Sequence, residues 1–235
     1  INVSQYNVPI ARGGAPVDVT LTSPFSDGVL RGVPIPDSAQ PANGSDGHLV
    51  VLGGGVSYEL YQARRTGSGW QATSAVRFDL GGDGVNRQRS GVRASSLSLL
   101  LGLLTYDEIR GGGPIEHALA FAFDTPNARF FTPPAASSDG NRAGRPASLP
   151  MGARLQLDPA LDVRSLGLSP VGVRIAEAMQ RYGLICVDTS ADSSLFAEAL
   201  GEGRSWDGLL GYDEVQRIPV ERLRVLLLPQ KIPIP

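Results

Sequence analysis

The sequence predicts a mainly β protein, an antiparallel β-sandwich or distorted barrel of jelly-roll type, with one clear α-helix at about 170–182 and short extra helices. Three observations predict it. Short segments of alternating apolar and polar residues recur along the chain, and period-two alternation marks a strand with one buried face. Turn-forming residues separate these segments, in a chain with 29 glycines and 18 prolines. Only one stretch combines a helical period with residues suited to both helix ends. With 235 residues and 42% hydrophobic content the chain can bury a sizeable core, and 1–235 reads as a single β-rich domain.

Residues 1–46 are rich in proline, glycine and serine and read as an extended lead-in, with one strand over Val17, Asp18, Val19, Thr20, Leu21 and Thr22. Strands at 48–52 and 56–63 flank Gly53, Gly54 and Gly55, which suit a tight hairpin. In the second of these, Ser57, Glu59, Tyr61 and Ala63 share one face. A further strand spans 70–80, and three hairpin-linked strands in succession argue for an antiparallel sheet. The polar loop 81–91 carries Arg87 and Arg89, with Arg93 close behind. It reads as a solvated loop or as an arginine cluster for an anionic group. An apolar run at 97–104 meets Thr105 and Glu108, the spacing of a capping box, so a helical turn is expected at 106–109. Glycines 111–113 and Pro114 end it. A strand at 115–123 then carries His117 in a row with Ile115, Leu119, Phe121 and Phe123.

Short strands are expected at 129–132 and 153–157, around a surface loop at 137–150. Ser169 suits a helix N-cap, Pro170 the first helical position and Gly183 the C-terminal stop, with Val171, Ile175, Met179 and Tyr182 on one face. A buried strand at 184–187, a short helix at 195–200 and an apolar run at 220–228 complete the chain. No repeat or heptad pattern is present.

Composition removes several function classes. The net charge of −2 and pI near 5.7 give no basic face for nucleic acid. No apolar run approaches the roughly 20 residues of a membrane-spanning helix. The single cysteine, Cys186, forms no internal disulfide or multi-cysteine zinc site, and its apolar neighbours read it as a buried small hydrophobe. No signal-like segment stands at Ile1, so any signal peptide is expected to have been removed or to lie outside this sequence.

Several blocks occur in a recognisable order: DGHLVVL at 46–52, YELY at 58–61, LLTYDEI at 103–109, IEHALAF at 115–121, LPMGARLQL at 149–157 and RYGLICVD at 181–188. Together they resemble a family of secreted bacterial β-rich proteins without an established activity, often similar to companions of carbohydrate-binding modules. The resemblance implies a secreted or cell-surface protein whose partner is a polysaccharide or other extracellular glycan. The chain departs from that pattern at Gly47, where the family has arginine, and at Thr189 and Ser190, where it tends to have Asn-Gly.

Candidate chemistry starts from the two histidines, His48 and His117, with Glu59. Such a trio can act as acid and base, can hold a divalent metal, which the sequence does not require, or can hydrogen-bond within a sheet. Glycoside hydrolysis uses paired carboxylates. Glu59 is the first choice among Glu59, Asp79, Asp107, Glu108, Glu116 and Asp188, with Glu108 read as a capping residue. In a polysaccharide lyase, His117 or Tyr61 would take a proton and Arg87 or Arg93 would neutralise a uronate carboxylate. The candidate site is therefore His117, Glu59, His48 and Tyr61 as catalytic groups, with Arg87, Arg93 and Asp188 as substrate contacts. No nucleophile elbow or phosphate loop is present. The expected function is cleavage of an extracellular polysaccharide; the alternative is a non-catalytic surface or matrix protein that binds glycan or self-assembles.

Overall fold

A computed structural model describes all residues except 27, 68, 89, 90, 141–147, 227 and 235. In chain order the strands are β1 (Val8–Arg12), β2 (Pro16–Leu21), β3 (Val29–Pro34), β4 (Leu49–Gly53), β5 (Val56–Tyr61), β6 (Arg64–Thr66), β7 (Gly69–Ala72) and β8 (Ser74–Asp79). Helix α1 (Tyr106–Gly111), β9 (Leu119–Phe123), β10 (Phe130–Phe131), β11 (Arg154–Leu157), α2 (Pro170–Arg181) and β12 (Leu184–Thr189) follow. The last strands are β13 (Ser194–Leu195), β14 (Glu198–Ala199), β15 (Leu223–Val225) and β16 (Ile232–Pro233).

Three sheets stack as layers. An outer sheet runs β3-β2-β7-β6, a middle sheet β14-β1-β4-β5-β8, and a third β13-β9-β12-β11-β15; β10 and β16 form a small ribbon. Period two assigns the faces. In β4, Leu49 and Val51 pack toward the outer sheet with Val19, Val33, Leu60 and Trp70. Val50 points the other way and packs with Leu97, Leu99, Ala120, Val187 and Phe196. In the third sheet, Leu119, Phe121, Leu184 and Cys186 face a further core closed by Ile175, Ala176, Ala178 and Met179 of α2. Fully burying an Ile or Met side chain contributes about 1.5–3 kcal/mol, which anchors the helix on its sheet.

The mainly β class and the 170–182 helix follow the expectation. Ser169 Oγ accepts from Gly172 N at 3.0 Å as N-cap, and Gly183 adopts φ +79°. Gly54 and Gly55, at φ +61° and +79°, make the two-residue turn between β4 and β5. Pairing is mixed rather than purely antiparallel, since β1 with β4 and β14, β2 with β7, and β9 with β12 run parallel.

Other elements differ from the sequence reading for physical reasons. The stretch 1–46 supplies three strands, because Val8, Val19 and Val33 are fully buried. The strand read over 70–80 breaks at Thr73 and divides between two sheets. The helix expected at 195–200 is a crossing strand segment: Leu195 pairs with Phe121 in the third sheet and Glu198 with Val8 in the middle one. All of Leu195, Phe196, Ala197 and Glu198 are buried, so no face was left for water. The strand at 115–123 begins only at Leu119, which leaves His117 in a bend before it. Residues 137–140 and 148–150 of the expected surface loop are described; 141–147, like Arg89, lie outside the described residues.

Candidate active site

A polar cleft of about 420 Å³ opens where the middle and third sheets meet, lined by Asp46, His48, Tyr61, Arg93, Asp139 and Asp188 among others. Strands β4 and β5 bring His48 and Tyr61 to one wall, with ring centroids 5.8 Å apart. The segment 91–94 forms the floor. The loop at Ser137 is tied to it, Ser137 Oγ donating to Ala94 O at 2.6 Å, and the end of β12 supplies Asp188 and Thr189.

Asp188 reaches the cleft through a β-bulge. Strict alternation would point it the same way as Leu184 and Cys186, toward the α2 side. The register of β12 against β9 shifts between Cys186 and Asp188, and this inserted residue turns Asp188 about, a common use of bulges beside active sites. Its Oδ1 accepts from Thr189 N at 3.0 Å and Ala94 N at 3.4 Å, and Oδ2 stands 3.8 Å from Arg93 Nε. Desolvation pushes the carboxyl up to about 7; Arg93 opposes the rise, while Asp139 and Asp46 add to it. Asp188 nevertheless keeps 18% of its side chain accessible. It is thus a carboxyl that holds its proton well above the ordinary aspartate range and still opens onto the cleft. Asp139 is exposed and accepts from Thr189 Oγ1 at 2.6 Å.

His48 Nε2 lies 2.8 Å from Val92 O, and a carbonyl only accepts, so Nε2 carries the proton. Burial lowers the imidazole's pKa and keeps the ring neutral. Tyr61 is held as a phenol by burial and by the charges of Asp46, Asp188 and Asp139, which raise its pKa.

Beneath the cleft, the Arg93 side chain has 0% exposure. Its Nη1 donates to Ser98 O at 3.0 Å, its guanidinium lies 4.7 Å over Phe196, and Nε and Nη2 have no hydrogen-bond partner among the described residues. Glu59 lies alongside, also 0% exposed. It accepts from Ser57 Oγ at 3.1 Å, Ser98 Oγ at 2.5 Å and Leu99 N at 2.7 Å. Burial nonetheless raises its pKa.

Of the seven sequence candidates, His48, Tyr61, Arg93 and Asp188 therefore meet at the cleft. Three do not. Glu59 points between the middle and third sheets. Of the four that meet, Arg93 has its side chain fully buried beneath the cleft and is a support rather than a direct contact. Arg87 is a surface residue paired with Asp83 at 2.6 Å. His117 belongs to a different corner, where Nε2 is 3.1 Å from Glu108 Oε1 and Nδ1 is 3.0 Å from Ala118 O. Both partners only accept, so this geometry requires the doubly protonated ring, and the Glu108 hydrogen bond raises its pKa accordingly. Glu108 is thus the partner of His117 and not a cap. Thr105 makes no side-chain cap bond, and Tyr106 N donates instead to Glu198 Oε2 at 3.0 Å.

Sequence reasoning missed Asp46 and Asp139. Asp46 stands two residues before His48 in the DGH block, which was the available signal; Asp139 sits in a polar loop with none. Among the described residues, no three His, Cys, Asp or Glu side chains gather in a way that could hold a metal ion, so the His48, Glu59 and His117 metal trio is not assembled. Among the described residues no helix is long and apolar enough to cross a membrane. No protein-family model, curated protein or solved structure matches the chain.

Proposed function

We propose that this protein hydrolyses glycosidic bonds of an extracellular polysaccharide, with Asp188 as general acid and Asp139 as the second carboxylate. The observation that carries the reading is Asp188 itself, a cleft-lining carboxyl with its pKa raised to about 7 beside another carboxylate. Asp188 gives its proton to the glycosidic oxygen as the bond from that oxygen to the anomeric carbon breaks. Asp139 takes a proton from the water that adds to that carbon. Tyr61 and the hydroxyls of Ser137, Ser138 and Thr189 suit sugar hydroxyls. The blocks resembling secreted bacterial proteins support an extracellular glycan as substrate.

The lyase assignment fits less well. Tyr61 is kept protonated by burial and by the surrounding aspartates, and Arg93 is too buried to meet a uronate carboxylate.

The test is reducing-end release across a panel of polysaccharides. The wild type is expected to lose rate as pH rises through about 7, as the acid deprotonates. Asp188→Asn and Asp139→Asn are each expected to lose roughly 10²–10⁴-fold. Turnover unchanged by both substitutions, or absent on every substrate, would overturn the reading and favour a glycan-binding or self-assembling role.

A further inference from the structure

The cleft rests on a buried group of polar side chains. Arg93, Glu59 and Ser98 are buried, and Ser98 joins the other two, its hydroxyl donating to Glu59 and its carbonyl accepting from Arg93. Arg93 is thus shared between two buried carboxyls: Asp188, 3.8 Å from its Nε, and Glu59, linked to it through Ser98. One buried cation balances one carboxylate. With both ionised the buried group would carry an excess negative charge in a poorly solvated space, which is costly. A proton is therefore retained between the two acids, and their titrations belong to the group rather than to either residue.

We propose that Glu59, Ser98 and Arg93 are positioning residues beneath the cleft, through which Glu59 competes with Asp188 for the single buried guanidinium and so governs the protonation of Asp188. The role of Asp188 as acid rests on the hydrolytic reading; the competition itself does not. Removing the charge of Glu59 would leave Arg93 wholly to Asp188. The other charged or titratable groups around Asp188 are Asp139 and Asp46, which act on it from the loop and from β4's approach, Tyr61 and Cys186, whose ionisation its charge opposes, and His48 across the cleft, whose pKa burial lowers. None of these is altered by a change at Glu59.

The test is a ¹³C NMR titration of labelled aspartate carboxyls, with Asp188 assigned by its loss in Asp188→Asn. Glu59→Gln keeps the shape of the side chain and an oxygen for Leu99 N. It is expected to lower the Asp188 midpoint by about 1 pH unit, a tenfold change in proton affinity. Ser57→Ala, which removes only one donor from Glu59, makes Glu59 easier to protonate and is expected to move Asp188 the same way by less. In activity, the fall in rate at high pH should shift to lower pH in Glu59→Gln. An Asp188 midpoint unmoved in both variants overturns the inference, even if the wild type cleaves polysaccharide. A moved midpoint without turnover on any polysaccharide would sustain the competition and remove the hydrolytic reading.

Discussion

The two histidines of this chain show how far environment outranks residue type. His48 lies against the cleft floor, where desolvation dominates, its pKa is lowered, and a single proton sits on Nε2 facing Val92 O. His117 lies in a corner with 37% of its side chain accessible, close to Glu108 at 21%, where pairing dominates and the pKa is raised. The acids divide in the same way. Asp188 is pushed up to about 7 by burial, and Glu108 serves as counter-ion to a cation. Burial without enough compensation leaves reactive groups; compensation without deep burial leaves a clasp. Here that clasp joins α1 to the approach of β9, reinforced by Arg174, whose guanidinium donates to the carbonyls of Glu108, Ile109 and Gly113 at 2.6–2.9 Å.

Removing the buried cation should break the cleft side of this contrast most severely. Arg93→Met is expected to destabilise by about 3–5 kcal/mol at pH 8, since it strands buried carboxylates. The loss should be smaller at pH 5, where those acids take up protons, and urea unfolding at the two pH values measures both.

Asp188→Asn should act in the opposite direction. In the folded chain Asp188 keeps its proton to about 7, against an ordinary 3.8. Between those values the unfolded chain binds fewer protons, so this residue lowers stability as pH rises from about 4 to 7. The substitution is expected to stabilise the protein by roughly 2–4 kcal/mol at pH 8 and by little at pH 4. Unfolding curves with no pH-dependent gain would show that Asp188 is solvated like an ordinary aspartate. A stabilising loss of function is the expected signature of a strained active-site group.

The corner should respond least. A half-exposed ion pair is screened by water, so His117→Ala is expected to cost under about 1 kcal/mol. Because the folded pKa of His117 is raised, its contribution is fully present below the unfolded value of 6.5 and lost as pH climbs through the folded one. Long-range ¹H–¹⁵N spectra sharpen the comparison directly. His117 should titrate above 6.5 and His48 below it, as the Nε2–H tautomer. Equal midpoints would erase the distinction between the two sites.

Much of the fold was legible in the residues. The alternation in β4 and β5 with Gly54 and Gly55 between them specifies a hairpin, because period two and left-handed turns are local properties. The same holds for α2, whose caps and apolar face lie within one segment. Local reading misled where a segment is shared between layers. Leu195 to Glu198 looked helical because four buried positions in a row carry no period, and Thr105 with Glu108 fits a capping box that a distant Glu198 and His117 pre-empt.

For the candidate site, His48, Tyr61, Arg93 and Asp188 could be chosen from residue type and block position, but their assembly could not. Period two correctly put Glu59 and Tyr61 on one face of β5. Yet Tyr61, at the strand end, reaches the cleft while Glu59, one step inward, is sealed under Leu97 to Leu99. The sequence by itself determined the β4–β5 hairpin, the α2 helix and the chemical groups available. Only the tertiary structure decided which carboxyl holds its proton longest, because the bulge at Asp188, the approach of Asp139 and the burial of Arg93 arise from contacts between segments far apart in the chain. Desolvation, which sets proton affinity, is a property of those contacts and not of any local pattern.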